Sequence, residues 1–314
     1  MKKRFLSLGI MIMMGVTVPI NDYVYAEVIS EIEQDVYDIS ERTEYTYNDY
    51  VIELINQMGE NTTEENWKNN LSYLKDNYET IKKLSGVKMN LVDYYISEYS
   101  SQLEYENYIS QQKDVEQFKV NDSKNNSIQS YTAVYSKSRS SVFFATSAVA
   151  YAKKYYKEYN PEYPDWNSYG GDCANFVSQC LVAGGLDMEN GNSNTALNWY
   201  SYGNKCDTTQ VSSSFRGANA FKNRFLVRAK NSLKINKGNS REYLFNNTNL
   251  GDAISFCKTY SDGTTIAKHT MIVVEKDYSS KTVYLAAHTN STVNADFYNR
   301  LNSYDCCYVF SMYK

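Results

Sequence analysis

An α+β fold is what the sequence predicts, and three observations carry the prediction. Apolar residues recur at helical spacing through the first half of the chain. Strand-like alternation gathers toward its end, and a Gly-Gly turn followed by a capped helix lies between the two. Helices first and an antiparallel sheet last is an order that leaves helices packed on one sheet. The 314 residues suffice for one large or two ordinary domains.

The elements follow in chain order. Residues 1–26 read as a secretory signal peptide: Lys2, Lys3 and Arg4 form the positive start, 5–20 the apolar stretch, and Val24-Tyr25-Ala26 a small-x-Ala cleavage site. Residues 27–118 read as a helical domain. Tyr47, Val51, Leu54, Ile55 and Met58 keep helical spacing, and Thr62-Thr63-Glu64-Glu65 has the capping-box form, with Thr62 as cap and Glu65 folding back. Trp67, Leu71, Leu74, Tyr78 and Ile81 make a narrow apolar stripe closed by Gly86, and Val92, Tyr95, Tyr99 and Leu103 make another.

Residues 119–134 are the expected linker, polar and aperiodic over most of their length, and 135–314 the second domain. It opens with a helix over 140–159, ended by Asn160-Pro161 because the residue before proline avoids the helical region. Asp172 caps the next helix and Gly184-Gly185 stops it, with Cys173, Phe176, Val177, Cys180 and Leu181 on one buried face. A helix is expected over 218–229. Strands are expected at 253–257, 269–275, 282–290 and 307–312, with Asp277-Tyr278-Ser279-Ser280 turning between the second and third.

Charge and cysteine usage exclude some classes of function. The formal net charge is −4; removing Lys2, Lys3, Arg4 and Asp22 takes away +2 and leaves the remainder near −6. Such a chain has no electrostatic hold on nucleic acid or an anionic surface. Beyond the leader no long apolar run exists, so no membrane partner is expected after its removal. The six cysteines are too sparse for a disulfide scaffold, although one or two bridges among those other than Cys173 stay open. They form no C-x-x-C pair, and the two histidines belong to no metal-spaced cluster, so neither metal nor cofactor is expected.

The chemistry concentrates on Cys173. A free thiol, with pKa about 8.5, is mostly protonated at neutral pH. The first turn of a helix favours the thiolate, and the same N–H groups can hold an oxyanion. The chain has only two histidines, His269 and His288, both on strand-like segments. A cysteine at a helix start with histidines on later strands is the arrangement of a thiol hydrolase. His269 is the expected base, oriented by His288 or by Asn290, which lies two residues on and so on the same face as His288. Asp172 serves as a structural cap, and Asn167 is a candidate second oxyanion donor beside the Cys173 N–H.

The run Gly171-Asp172-Cys173-Ala174-Asn175-Phe176-Val177-Ser178-Gln179, closing with Ala183-Gly184-Gly185, resembles the core motif of the putative amidase domain family found in exported proteins of Gram-positive bacteria. The segments 250–256 (Leu-Gly-Asp-Ala-Ile-Ser-Phe), 269–274 (His-Thr-Met-Ile-Val-Val) and 287–290 (Ala-His-Thr-Asn) are similar to its later strands. The helix around 150–152 and Asn160-Pro161 is similar to its leading helix. The resemblance spans about residue 135 to the end. It departs at Ala174, where Thr is common, at Cys180, where a small apolar residue is common, and at Lys268, where an acidic residue often precedes the histidine. It implies a papain-like cysteine hydrolase domain, related to NlpC-type peptidases and to the cysteine, histidine-dependent amidohydrolase/peptidases.

The expected function is therefore a cysteine amidase or peptidase, secreted or wall-associated, acting on amide bonds of bacterial cell-wall peptidoglycan. The alternative is a non-catalytic wall-binding or adhesion protein on a hydrolase-like scaffold. The N-terminal helices are read either as a cover over the cleft or as a positioning domain. The sequence settles neither the bond cleaved nor the oligomeric state.

Overall fold

A computed structural model describes residues 46–122, 142–189, 198–288 and 291–312; within the last turns of the 46–122 segment it describes the backbone alone. The signal-peptide reading, most of the expected linker, and Asn290 lie outside the described residues. The described residues fall within one compact unit.

Among the described residues four α-helices come first: α1 (Thr46–Gln57), α2 (Trp67–Asp76), the single turn α3 (Tyr78–Ile81) and the long α4 (Met89–Asp122). The stripes expected from periodicity make their core, where Val51, Trp67, Leu71, Leu74, Ile81, Val92, Tyr95 and Tyr99 are almost wholly buried. The capping box does not form. The Thr62 hydroxyl donates to Asn70 Oδ1 (2.5 Å), and the Glu65 carboxylate accepts from the Ser261 N–H (2.7 Å). With both groups committed elsewhere, the α-helix starts later, at Trp67. Helix α4 runs through Asp122 and takes in the first residues of the expected linker.

The remainder builds a six-stranded antiparallel sheet with helices on both faces. The helices are α5 (Ala145–Tyr155), α6 (Cys173–Ala183), the short α7 (Ser213–Arg216), α8 (Ala218–Arg228), α9 (Arg241–Asn246) and α10 (Phe297–Asn302). The strands are β1 (Asn231–Asn236), β2 (Ala253–Thr259), β3 (Thr265–Asp277), β4 (Thr282–Ala287), β5 (Thr292–Asp296) and β6 (Cys306–Ser311), in the order β1-β6-β2-β3-β4-β5. The four expected strands are all present; β1 and β5, which the sequence does not signal, are the two edges.

Alternation along the strands sorts side chains onto two faces. Ala253, Ile272, Val274, Ala286 and Phe310 pack with Ala148, Ala152, Phe176, Val177, Phe221 and Phe225, which belong to α5, α6 and α8. Ile254, Phe256, Met271, Val273, Leu285 and Val309 pack with Leu244, Phe245, Phe297 and Leu301 of α9 and α10. The β2–β3 pairing carries a bulge: Phe256 faces His269 and Cys257 faces Ala267, which leaves Lys268 as the extra residue.

Helix α6 is more deeply placed than its pattern predicts. Residues 173–181 are all buried, because sheet, α5, α7 and α8 surround it on every side. The double glycine ends it as expected: Gly185 has φ +93°, and the Leu186 N–H returns to the Leu181 carbonyl at 3.0 Å.

Candidate active site

Cys173 is the first residue of α6 and follows Gly170 and Gly171, both in the left-handed region (φ +105° and +127°). Only glycine adopts such a pair at little cost, and the turn sets the start of the helix beneath it. The cysteine belongs to a small buried cluster with Ala218 of α8, Ala267 of β3, and Cys257 and Cys306 of β2 and β6, and is 5% exposed. All six cysteines are thiols. Burial pushes the thiols of Cys180, Cys257 and Cys307 well up. Cys306 moves the other way, to about 7, through a hydrogen bond from Cys257.

Asp172 does not cap the helix with its side chain. One carboxylate oxygen accepts from the Trp166 N–H (2.8 Å) and from Asn175 Nδ2 (2.9 Å), tying down the loop before the cysteine. The other meets His288 Nδ1 at 2.6 Å. The second ring nitrogen of His288 meets the Tyr155 carbonyl at 2.7 Å, and the ring stacks on Phe176 (centroids 4.2 Å apart) beside Tyr159. Burial pushes the Asp172 carboxyl up, and His288 opposes that rise. The expectation that His288 orients His269 is thus not met: its two nitrogens serve Asp172 and α5.

His269 stands elsewhere. It lies across from Phe256, on the sheet face of Met271 and Val273, whereas Ala267 and Cys257 turn to the face of Cys173. Burial, helped by the Arg300 charge on α10, pushes its pKa well down, so the ring is neutral at neutral pH. The structure therefore brings Asp172 and His288 together beside Cys173 and does not bring His269 to it. The bulge at Lys268 is the physical reason, because one extra residue decides which side of the sheet the next side chain faces. Asn167 is exposed and its amide donates to the Tyr159 hydroxyl, which removes it as an oxyanion donor in this arrangement.

The residues that the sequence reading missed come from α4. Asn90, Tyr94, Glu98 and Gln102, spaced by four, form a second stripe beside the apolar one and lie on the cysteine-bearing part of the molecule. Asn90 donates to the Ser168 carbonyl. The Tyr94 ring rests on Gly170, where a Cβ would come within 2.6 Å of it, and a thiolate at Cys173 would push its phenol further up. Glu98 accepts from the Asn219 N–H at 2.6 Å, and Gln102 accepts from Lys222 Nζ at 3.3 Å. Buried Lys268 reaches Glu64, Tyr99 and Tyr260. A cleft of about 450 Å³ remains between α4 and the loops, lined by Asn90, Asp93, Tyr94, Trp166, Tyr169, Cys206, Asp207, Thr208 and Arg216. A run of mixed polar residues at intervals of four was the available signal.

Comparison with known proteins covers the cysteine-bearing part of the chain. The model of the putative amidase domain family matches residues 144–313, a span that includes Asp172, Cys173, His269 and His288. The uncharacterized protein YhbB of Bacillus subtilis (strain 168) is 34% identical over 130 residues, which cover 41% of this chain and 36% of that protein. The matched region thus spans about a third of the relative's length. No solved structure matches the chain.

Proposed function

Because the chain belongs to the putative amidase domain family, we propose that it is a cysteine-dependent amidase or peptidase, exported by its residues 1–26, that hydrolyses amide bonds of cell-wall peptides on a papain-like domain. One observation carries the reading: Cys173 stands first in a buried helix, under a left-handed glycine pair, inside the region that the family defines. There the N–H groups of the first turn favour a thiolate and face the place where an oxyanion would form. The thiolate attacks the amide carbonyl and the tetrahedral intermediate expels the amine with a proton from the general acid. Water then hydrolyses the thioester, and the thiol is restored.

His269 is the proton carrier in this proposal, with Asn290 left to orient it, since His288 is committed to Asp172. Displacing the bulge by one residue along β3 turns His269 to the face of Cys173. The arrangement described here is then a closed one. A non-catalytic wall-binding protein is the second reading, and the separation of His269 from Cys173 favours it.

Purified peptidoglycan incubated with the chain, followed by mass spectrometry of released fragments, decides between the two. New amine and carboxyl termini are expected from the wild type or from Glu98→Ala, which removes the hydrogen bond of α4 to the start of α8, and none after Cys173→Ala or His269→Ala. Cleavage that survives Cys173→Ala removes Cys173 as the nucleophile, and absence of cleavage from every variant removes the enzyme reading.

A further inference from the structure

We propose that the start of α8, beside Cys173, is a carboxylate-binding subsite, that Glu98 of α4 fills it in this structure, and that the substrate places a carboxylate of its own there when α4 lifts. The substrate part of this inference rests on the hydrolase reading; the subsite itself does not.

The site is built for an anion. The Glu98 carboxylate accepts from the Asn219 N–H at 2.6 Å, and the Ala220 N–H also faces it, so the positive end of an eleven-residue helix meets the charge. Gly217 makes the room: a Cβ there would collide with Glu98 Oε1. The Arg216 guanidinium is buried against the Trp166 ring (4.7 Å), and its charge acts on the same carboxylate. Ala218, the first residue of α8, shares a small buried cluster with Cys173, and the Tyr94 phenol lies near both, which sets the subsite near the thiol.

Glu98 occupies this place without completing it. Its Oε1 makes no hydrogen bond although the residue is 1% exposed, and Arg216 Nε, also buried, makes none. A buried donor and acceptor left unmade each carry a desolvation cost. A planar carboxylate free to approach Arg216 in a fork geometry would satisfy both. Burial also pushes the Glu98 carboxyl up to about 7, as befits a charge held at a cost. Glu98 therefore stands in for a ligand that fits better, and Tyr94, one turn earlier on α4, covers the approach to the sulfur.

The test uses the full chain and the rate of Cys173 alkylation by iodoacetamide, read by peptide mass spectrometry. Glu98→Ala is expected to raise that rate at least tenfold. N-acetylglutamic acid α-amide, carrying a side-chain carboxylate, or N-acetylglutamine, carrying a terminal one, should slow it again; the stronger protector identifies the source of the carboxylate. N-acetylglutamine amide, which has neither, should give no protection. Glu98→Gln, which keeps the side-chain volume, and a thermal melt guard against a variant that fails to fold. Fast alkylation that neither carboxylate slows overturns the subsite. No acceleration in a folded Glu98→Ala protein overturns the cover. Protection by carboxylate without cleavage of peptidoglycan by any variant leaves the subsite standing and removes the hydrolase reading.

Discussion

Asp172 shows how far a single residue can be read from its neighbours. Its place before a helical run marks it as a cap, and the helix does begin where that predicts, yet its carboxylate serves Trp166, Asn175 and His288 instead. The partner lies 116 residues away, and no local pattern discloses a pairing across that distance. The consequence is energetic. Removing the imidazole leaves the buried Asp172 oxygen without its hydrogen-bond partner, a desolvation cost of about 1–3 kcal/mol. His288→Ala is therefore expected to lower stability in urea unfolding by about that amount, whereas adding Asp172→Asn to it should recover a large part. If the single and double variants unfold alike, the pair is not what holds the start of the cysteine helix.

Elements were legible where burial imposes a period. The stripes of α1, α2 and α4 place their apolar residues in one core, and the four inner strands are buried on both faces, so a helical period and short apolar runs show in the sequence. The edges did not show. Within β1 only Ile235 is buried, and β5 has no buried residue, so neither carries an alternation to detect. Nor did the docking of α4, because its second stripe is polar and polar stripes ordinarily face water. That docking makes a prediction at this scale. Gly217 has ordinary extended backbone (φ −108°), so Gly217→Ala brings no backbone strain, and the Ser213 carbonyl, 3.1 Å from the new Cβ, asks for a small adjustment. Its cost comes from the collision with Glu98, about 1–3 kcal/mol by analogy with overpacked cores. Hydrogen exchange across residues 89–111 should quicken in Gly217→Ala relative to the wild type. In a Glu98→Ala background the same change should add almost nothing, since the Cβ enters vacated space. Equal effects in both backgrounds would detach Gly217 from the docking.

On the scale of the whole molecule, the first helices and the cysteine-bearing part meet through charges that neither part buries by itself. Glu98 faces Arg216, Lys222 and Lys268 across the junction and lies near Tyr47 and Tyr94 on its own side. Its carboxyl, ordinarily near 4.5, is pushed up to about 7 when α4 is docked, chiefly by burial. The docked state thus binds more protons than the undocked one between these two values, and its stability must fall as pH rises through that window. The full span corresponds to a loss on the order of 3 kcal/mol, complete above pH about 7. Lys222 and Lys268 have pKa values lowered by burial, which gives the opposite slope wherever they titrate, so the carboxyl has to be isolated by difference. Hydrogen exchange of α4, corrected for intrinsic rates, should show weaker protection at pH 8 than at pH 5 in the wild type, and Glu98→Gln should remove that contrast. A contrast that persists in Glu98→Gln would assign the pH dependence to a group other than this carboxylate, and not to Lys222 or Lys268, whose slope is opposite, and would strip Glu98 of its part in holding the cover. Its disappearance would mean that alkaline surroundings loosen α4 from Cys173 through one carboxylate.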